Sequence, residues 1–167
     1  MAEEKQVKYD VDGYDVITTA LRTLINQYPG LDAEEEISFS MLDEDFGKAM
    51  FPQSGAVIET EKTNIVGHVT QTCLYPFYIV CRVAGLSEDK KAEKKEWLDG
   101  LGRWLERQKI MLNGTEHRLE EYPPLTGDRK FLTISRQSPA YLDGINENKS
   151  EDWAILISAR YKNEYDT

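Results

Sequence analysis

The sequence predicts an α+β fold: a mostly antiparallel sheet with two helices packed on one face and a long projecting β-hairpin. Three observations lead there. Two segments, near residues 12–28 and 87–109, repeat apolar side chains at helical spacing. The stretch from Gly47 to Arg82 carries two long strands that turn over at Glu61-Lys62-Thr63-Asn64. Later runs alternate apolar and polar residues with the period of two expected of strands. Short, non-crossing connections between such elements favour an antiparallel sheet with both helices on one side.

Residues 1–11 are polar and read as a flexible N-terminal arm, leaving 12–167 as a single α+β domain. Asp12 is a plausible N-cap for a helix running to about Tyr28. Val16, Ile17, Ala20, Leu21, Leu24, Ile25 and Tyr28 fall on one face of it. Pro29-Gly30 stops it. An acidic linker, Asp32 to Glu36, leads to a strictly alternating strand, Ile37 to Met41. Leu42 to Gly55 reads as a long irregular loop with Met50 and Phe51 exposed beside Pro52. Apolar residues on such a loop are candidates for an interface.

The ribbon follows, outward through Ala56 to Thr60 and back from Ile65 to Val83. Pro76 cannot donate a ladder hydrogen bond, so it predicts an edge or a bulge, with a bend. Ser87, followed by Glu88 and Asp89, starts a second helix that reaches about Lys109. Trp97, Leu98, Leu101, Trp104 and Leu105 form its buried stripe. Gly100 and Gly102 each cost that helix about 1 kcal/mol relative to Ala, which close backbone approach to the sheet would offset. Asn113-Gly114 signals a hairpin between Ile110–Leu112 and Glu116–Glu120. Phe131 to Ser135 is a strand, Asp143 to Asp152 a polar insert, and Trp153 to Tyr161 the last strand.

Bulk properties narrow the function. A chain of 167 residues suits one domain, and its hydrophobic fraction of 40% suits a packed core. Net charge of −10 and a pI near 4.7 repel phosphate, and no basic stripe offsets them, which argues against direct nucleic-acid binding. MAEEKQVKYD lacks a basic region followed by an apolar run, and no apolar run could span a bilayer. The expectation is a soluble chain made in the cytoplasm, so the sequons at Asn113 and Asn148 read as chance. Cys73 and Cys81, eight apart on one strand, lie about 26 Å apart if extended, too far for a disulfide. They read as buried apolar residues.

The chemistry sought does not assemble. Ser87-Glu88-Asp89-Lys90 matches the Ser-x-x-Lys signature of acylating enzymes, yet no Lys-Thr-Gly or Ser-Asp-Asn element accompanies it. A helix cap beside a solvated charge cluster is the simpler reading. His68 and His117 have no partners at ligand spacing. Asp99-Gly100-Leu101-Gly102 lies inside a helix rather than at its start, where a phosphate loop belongs. The prediction is no catalytic, metal or cofactor site and no enzyme activity. A small acylating or hydrolytic enzyme using Ser87 and Lys90 is the alternative.

The chain resembles a family of minor capsid or tail-completion proteins of phages and prophages of Gram-positive bacteria. The resemblance runs through Ala49-Met50-Phe51-Pro52, Ser54-Gly55-Ala56-Val57, Gly67-His68-Val69 and Tyr75-Pro76-Phe77. It continues in Glu96-Trp97-Leu98, Gly102-Arg103-Trp104-Leu105, Ser150-Glu151-Asp152-Trp153 and Arg160-Tyr161, so it spans nearly the whole chain. The element order is also similar to that of phage tail terminators, which cap a tail tube and join it to the head. This likeness implies a hexameric ring without cofactor or turnover, whose partners are itself, the tail-tube protein and head-completion proteins. A head-completion adaptor is the neighbouring alternative. In such a ring the negative charge would let DNA pass without sticking. The subunit-interface candidates are Met50, Phe51, Pro52, Lys62, Ile65 and Tyr75.

Overall fold

The computed structural model describes residues 6–43, 46–84 and 88–167. Its spine is a pair of long antiparallel strands, β4 (His68–Val83) and β9 (Glu151–Asp166), in register from His68 opposite Asp166 to Val83 opposite Glu151. At ~3.3 Å per residue, each spans about 50 Å. Among the described residues no other strand is that long, so each outer edge of the pair is shared between two short strands. Beside β4 run β2 (Gly47–Pro52) and β3 (Val57–Thr63); beside β9 run β8 (Tyr141–Ile145) and β7 (Arg129–Arg136). β1 (Ile37–Phe39) closes the sheet by pairing parallel to β2.

Pro76 shows why the spine can be central and still contain proline. β2 pairs with β4 only as far as Phe77, and β3 takes over from Leu74. Pro76 lies at the changeover, where its carbonyl accepts from the Gln53 N–H at 3.0 Å. The missing N–H falls where no ladder partner is waiting, and neither an edge position nor a break in the β9 pairing results.

The helix α1 (Val11–Ile25) starts earlier than the sequence predicts, because Asp10 rather than Asp12 caps it by accepting from the Gly13 N–H. It also stops short of Tyr28. The Asn26 side chain turns away to accept from the Ile37 N–H at 2.7 Å, tying the helix end to β1. Of the arm expected over 1–11, the first five residues lie outside the described set, and the end of it is pinned. The Lys8 carbonyl accepts from Ile58 N–H, Tyr9 bridges Val57, and Asp10 N–H donates to Ala56.

The helix α2 (Glu88–Leu105) ends four residues before Lys109. Arg107 takes a left-handed φ of 64°, its N–H donates to Trp104 and the Gln108 N–H to Arg103, a Schellman stop made without glycine. Gly102 sits where a Cβ would come within 2.4 Å of Arg136 Cδ and 3.2 Å of Ile155 Cδ1, so the close approach to the sheet is real there. Gly100 instead abuts the Tyr28 hydroxyl. Ser87, the expected cap, lies outside the described residues.

Two loops of the sequence reading are strands. Within Leu42 to Gly55 lies β2, whose Ala49 and Met50 are both fully buried. With β1 on one edge and β4 on the other, β2 is an interior strand, and it lacks the β-branched residues that advertise one. The polar insert from Asp143 to Asp152 likewise contains most of β8 and the start of β9. The β5 (Ile110–Leu112) and β6 (Thr115–His117) hairpin turns on Asn113 and Gly114, both at positive φ as an Asn-Gly turn requires.

The core lies on the face of the spine that carries Cys73, Tyr75, Phe77, Ile79 and Cys81 of β4 with Ile155, Ile157, Ala159 and Tyr161 of β9. α1 meets it through Thr18, whose hydroxyl lies 2.7 Å from that of Tyr75, and α2 through Gly102 against Ile155. Both cysteines are free and buried.

Candidate interaction surface

Alternation sends the other half of the spine to a second face: Leu74, Pro76, Tyr78 and Arg82 of β4, Leu156 and Asp152 of β9. Register builds a hollow there. The row Ala49–Val80–Ala154 crosses β2, β4 and β9, and its alanines are small enough to be buried by their neighbours. Beside it the row Phe51–Tyr78–Leu156 stands taller, and Tyr141 of β8 rises opposite Ala154. From these rows Val80, Phe51 and Tyr78, with Tyr141, line about 430 Å³ of open space, completed by Leu42, Arg82, Asp143 and Asp152. Arg82 binds Asp152 in a fork, Nε to Oδ1 at 2.7 Å and Nη2 to Oδ2 at 2.9 Å, and this holds the Asp152 carboxyl below its ordinary pKa.

The opposite end of the spine carries a knob. The β3–β4 connection is Asn64–Gly67, later than the predicted turn, and Lys62 is still in the ladder opposite Thr70. Ile65 is fully exposed and Val66 nearly so. The turn under them is fastened. Asn64 Oδ1 accepts from the N–H groups of Val66 (3.0 Å) and His68 (2.9 Å), and Thr167 donates to the Gly67 carbonyl from both its N–H and its hydroxyl. The ribbon is three strands wide at its tip, since β9 follows β4 all the way. His68 Nδ1 lies 2.8 Å from Asp166 Oδ1, and that bond, with Glu164 nearby, raises the imidazole pKa.

The sheet edges differ in the same direction. On β7 the Ile134 N–H donates to the Tyr122 hydroxyl and the Arg136 N–H to Glu106, so side chains cap that edge. On β3, among the described residues, the arm's bonds stop at Ile58, and the backbone from Glu59 to Thr63 is left as an open edge.

The strongest buried polar cluster is structural. The Asp10 carboxylate accepts from Gly13 N–H, from Arg129 Nε and Nη2 at 3.0 and 2.8 Å, and from the Tyr161 hydroxyl at 2.7 Å. Burial alone would raise its pKa, but the bonds from Arg129 and Tyr161 outweigh this and lower it. Burial pushes the Cys73 thiol up to about 11. A hollow of about 750 Å³ lies beside the acidic segment Asp32 to Glu36. Its Lys48 is held by Glu35 at 2.8 Å and by the face of Trp97 at 4.7 Å. Among the described residues, no three His, Cys, Asp or Glu side chains gather as a metal set.

The six interface candidates therefore divide. Met50 and Tyr75 are wholly buried on the core face and are withdrawn as contact residues, because β2 is interior and Tyr75 lies under α1. Phe51 is half-buried in the wall of the hollow, and Pro52 ends β2 beside it. Lys62 and Ile65 are exposed at the tip. Lys90 lines the wide hollow, while its proposed partner Ser87 lies outside the described residues. Sequence reasoning missed Tyr78, Val80 and Tyr141 as a gathered set. Their alternation was legible, but the cross-strand register that gathers them was not.

A scan against models of known protein families finds no match, and no curated protein matches the sequence. No described helix is long and apolar enough to cross a membrane.

Proposed function

We propose that this chain is a structural component of a phage or prophage particle, of the tail-terminator or head–tail joining kind, which works by self-association into a ring on the tail tube. The observation that carries the reading is the tip: two adjacent β-branched residues stand exposed on a turn that Asn64 and Thr167 tie with hydrogen bonds. Scattered exposed apolar residues are ordinary, but a fastened pair at the far end of the longest strands is a contact surface already ordered for binding. With both helices on the Tyr75 face, the second face and the open β3 edge are left for neighbours. In this reading the hairpin projects to reach the next subunit, the assembly is a homo-oligomer completed by tail-tube and head-completion proteins, and there is no turnover.

Light scattering coupled to size exclusion tests it, on the chain alone and mixed with a tail-tube protein. Discrete oligomers in either arm are the expected result. A strict monomer at high concentration in both arms overturns the proposal.

A further inference from the structure

We infer that the hairpin tip of one copy seats in the aromatic hollow on the second face of the next, with Ile65 and Val66 entering the hollow and Lys62 meeting Asp143. This rests on the self-association proposed above and names the surfaces that mate.

Distance excludes the intramolecular version. Ten residues of extended β4 separate His68 at the tip from Tyr78 in the hollow, about 33 Å at ~3.3 Å per residue. A chain cannot fill its own hollow. Knob and hollow are also different patches, so the contact is head-to-tail and propagates around a ring or along a filament.

Shape and charge favour a second copy as the occupant. The hollow, about 430 Å³, offers Leu42, Phe51, Val80 and the rings of Tyr78 and Tyr141 to an aliphatic pair, beside the charged Arg82, Asp143 and Asp152. Around the tip nearly every charge is already paired within the chain. Glu59 binds Arg160 at 3.0 Å, Glu61 lies 3.5 Å from Lys8, Glu164 lies 3.3 Å from Lys162, and Asp166 holds His68. Among the described residues there, Lys62 is an exposed charge without an ion-pair partner. At the hollow, Arg82 and Asp152 are bound to each other, and Asp143, the extra residue at the β8 register shift, has no ion-pair partner among the described residues and carries the opposite sign. The unpaired cation of the knob and the unpaired anion of the hollow are what a self-complementary contact needs.

Sedimentation velocity across a concentration series tests the assignment. Ile65→Asp, at a site that touches nothing in the monomer, should weaken association at least ~30-fold, the size of an interface hot spot. Lys62→Glu and Asp143→Lys should each weaken it several-fold, and the double variant should return to near the wild-type value. Mixing Ile65→Asp chains, which keep the hollow, with Tyr141→Ala chains, which keep the tip, should give one-to-one dimers that grow no further. Wild-type oligomers that survive Ile65→Asp unchanged, or a double variant no better than its parents, overturn this inference and leave the proposed function standing. A wild-type chain that never associates, with or without tail-tube protein, overturns both.

Discussion

Removing the Asp10 carboxylate should be the most damaging single polar change in the molecule. One side chain caps α1, neutralises Arg129 and accepts from the Tyr161 hydroxyl, and Tyr161 is fully buried. In Asp10→Ala, loss of the cap alone costs about 1 kcal/mol. Stripping a largely buried guanidinium of its partner costs about 3–5 kcal/mol. The losses share one carboxylate and do not add, so about 4 kcal/mol is expected. With a urea m-value of about 2 kcal/mol/M, the unfolding midpoint should fall by about 2 M at unchanged m. Asp10→Asn keeps a capping side chain and removes the charge, so it should lie between the alanine variant and wild type. The pH dependence has a definite sign. Asp10 has a folded pKa below the ordinary 3.8, so its contribution is complete above that value and is lost as pH falls through the folded pKa. The gap between wild type and Asp10→Asn should therefore narrow only in acid, below about pH 4. A loss under about 1 kcal/mol in Asp10→Ala near neutrality would mean that only the cap matters and would refute the argument.

Three further outcomes follow from single contacts. Gly102→Ala gains helix propensity of about 1 kcal/mol but drives a methyl into the Arg136 stem, whose guanidinium is tied to Glu106; a net loss of about 1–2 kcal/mol in urea unfolding is expected, and a stabilised variant would contradict the packing. Asp166→Asn should lower the His68 pKa toward its free value in an NMR titration, because Asp166 is the main cause of its elevation; an unmoved titration would remove the tip clamp. The His68 contribution is present below the unfolded pKa near 6.5 and fades as pH rises through the folded one. Both thiols should resist a disulfide reagent at pH 8 in the native chain and react on unfolding, since both are buried and burial raises both pKa values.

What the sequence determined by itself was local. Helical spacing placed α1 and α2, alternation placed the spine strands, and Asn113-Gly114 placed a turn, because each signal is written in residues that are neighbours along the chain. Tertiary structure decided what depends on distant partners. β2 is a strand because β1 and β4 flank it, Asp10 outcompetes Asp12 as a cap because Arg129 and Tyr161 come to meet it, and Pro76 is tolerated because two short strands change places beside it. The candidate surface divides the same way. Lys62, in the predicted turn, and Ile65, just after it, could be named from the sequence, whereas the hollow depends on β2, β4, β8 and β9 coming into register, and no segment carries that register alone.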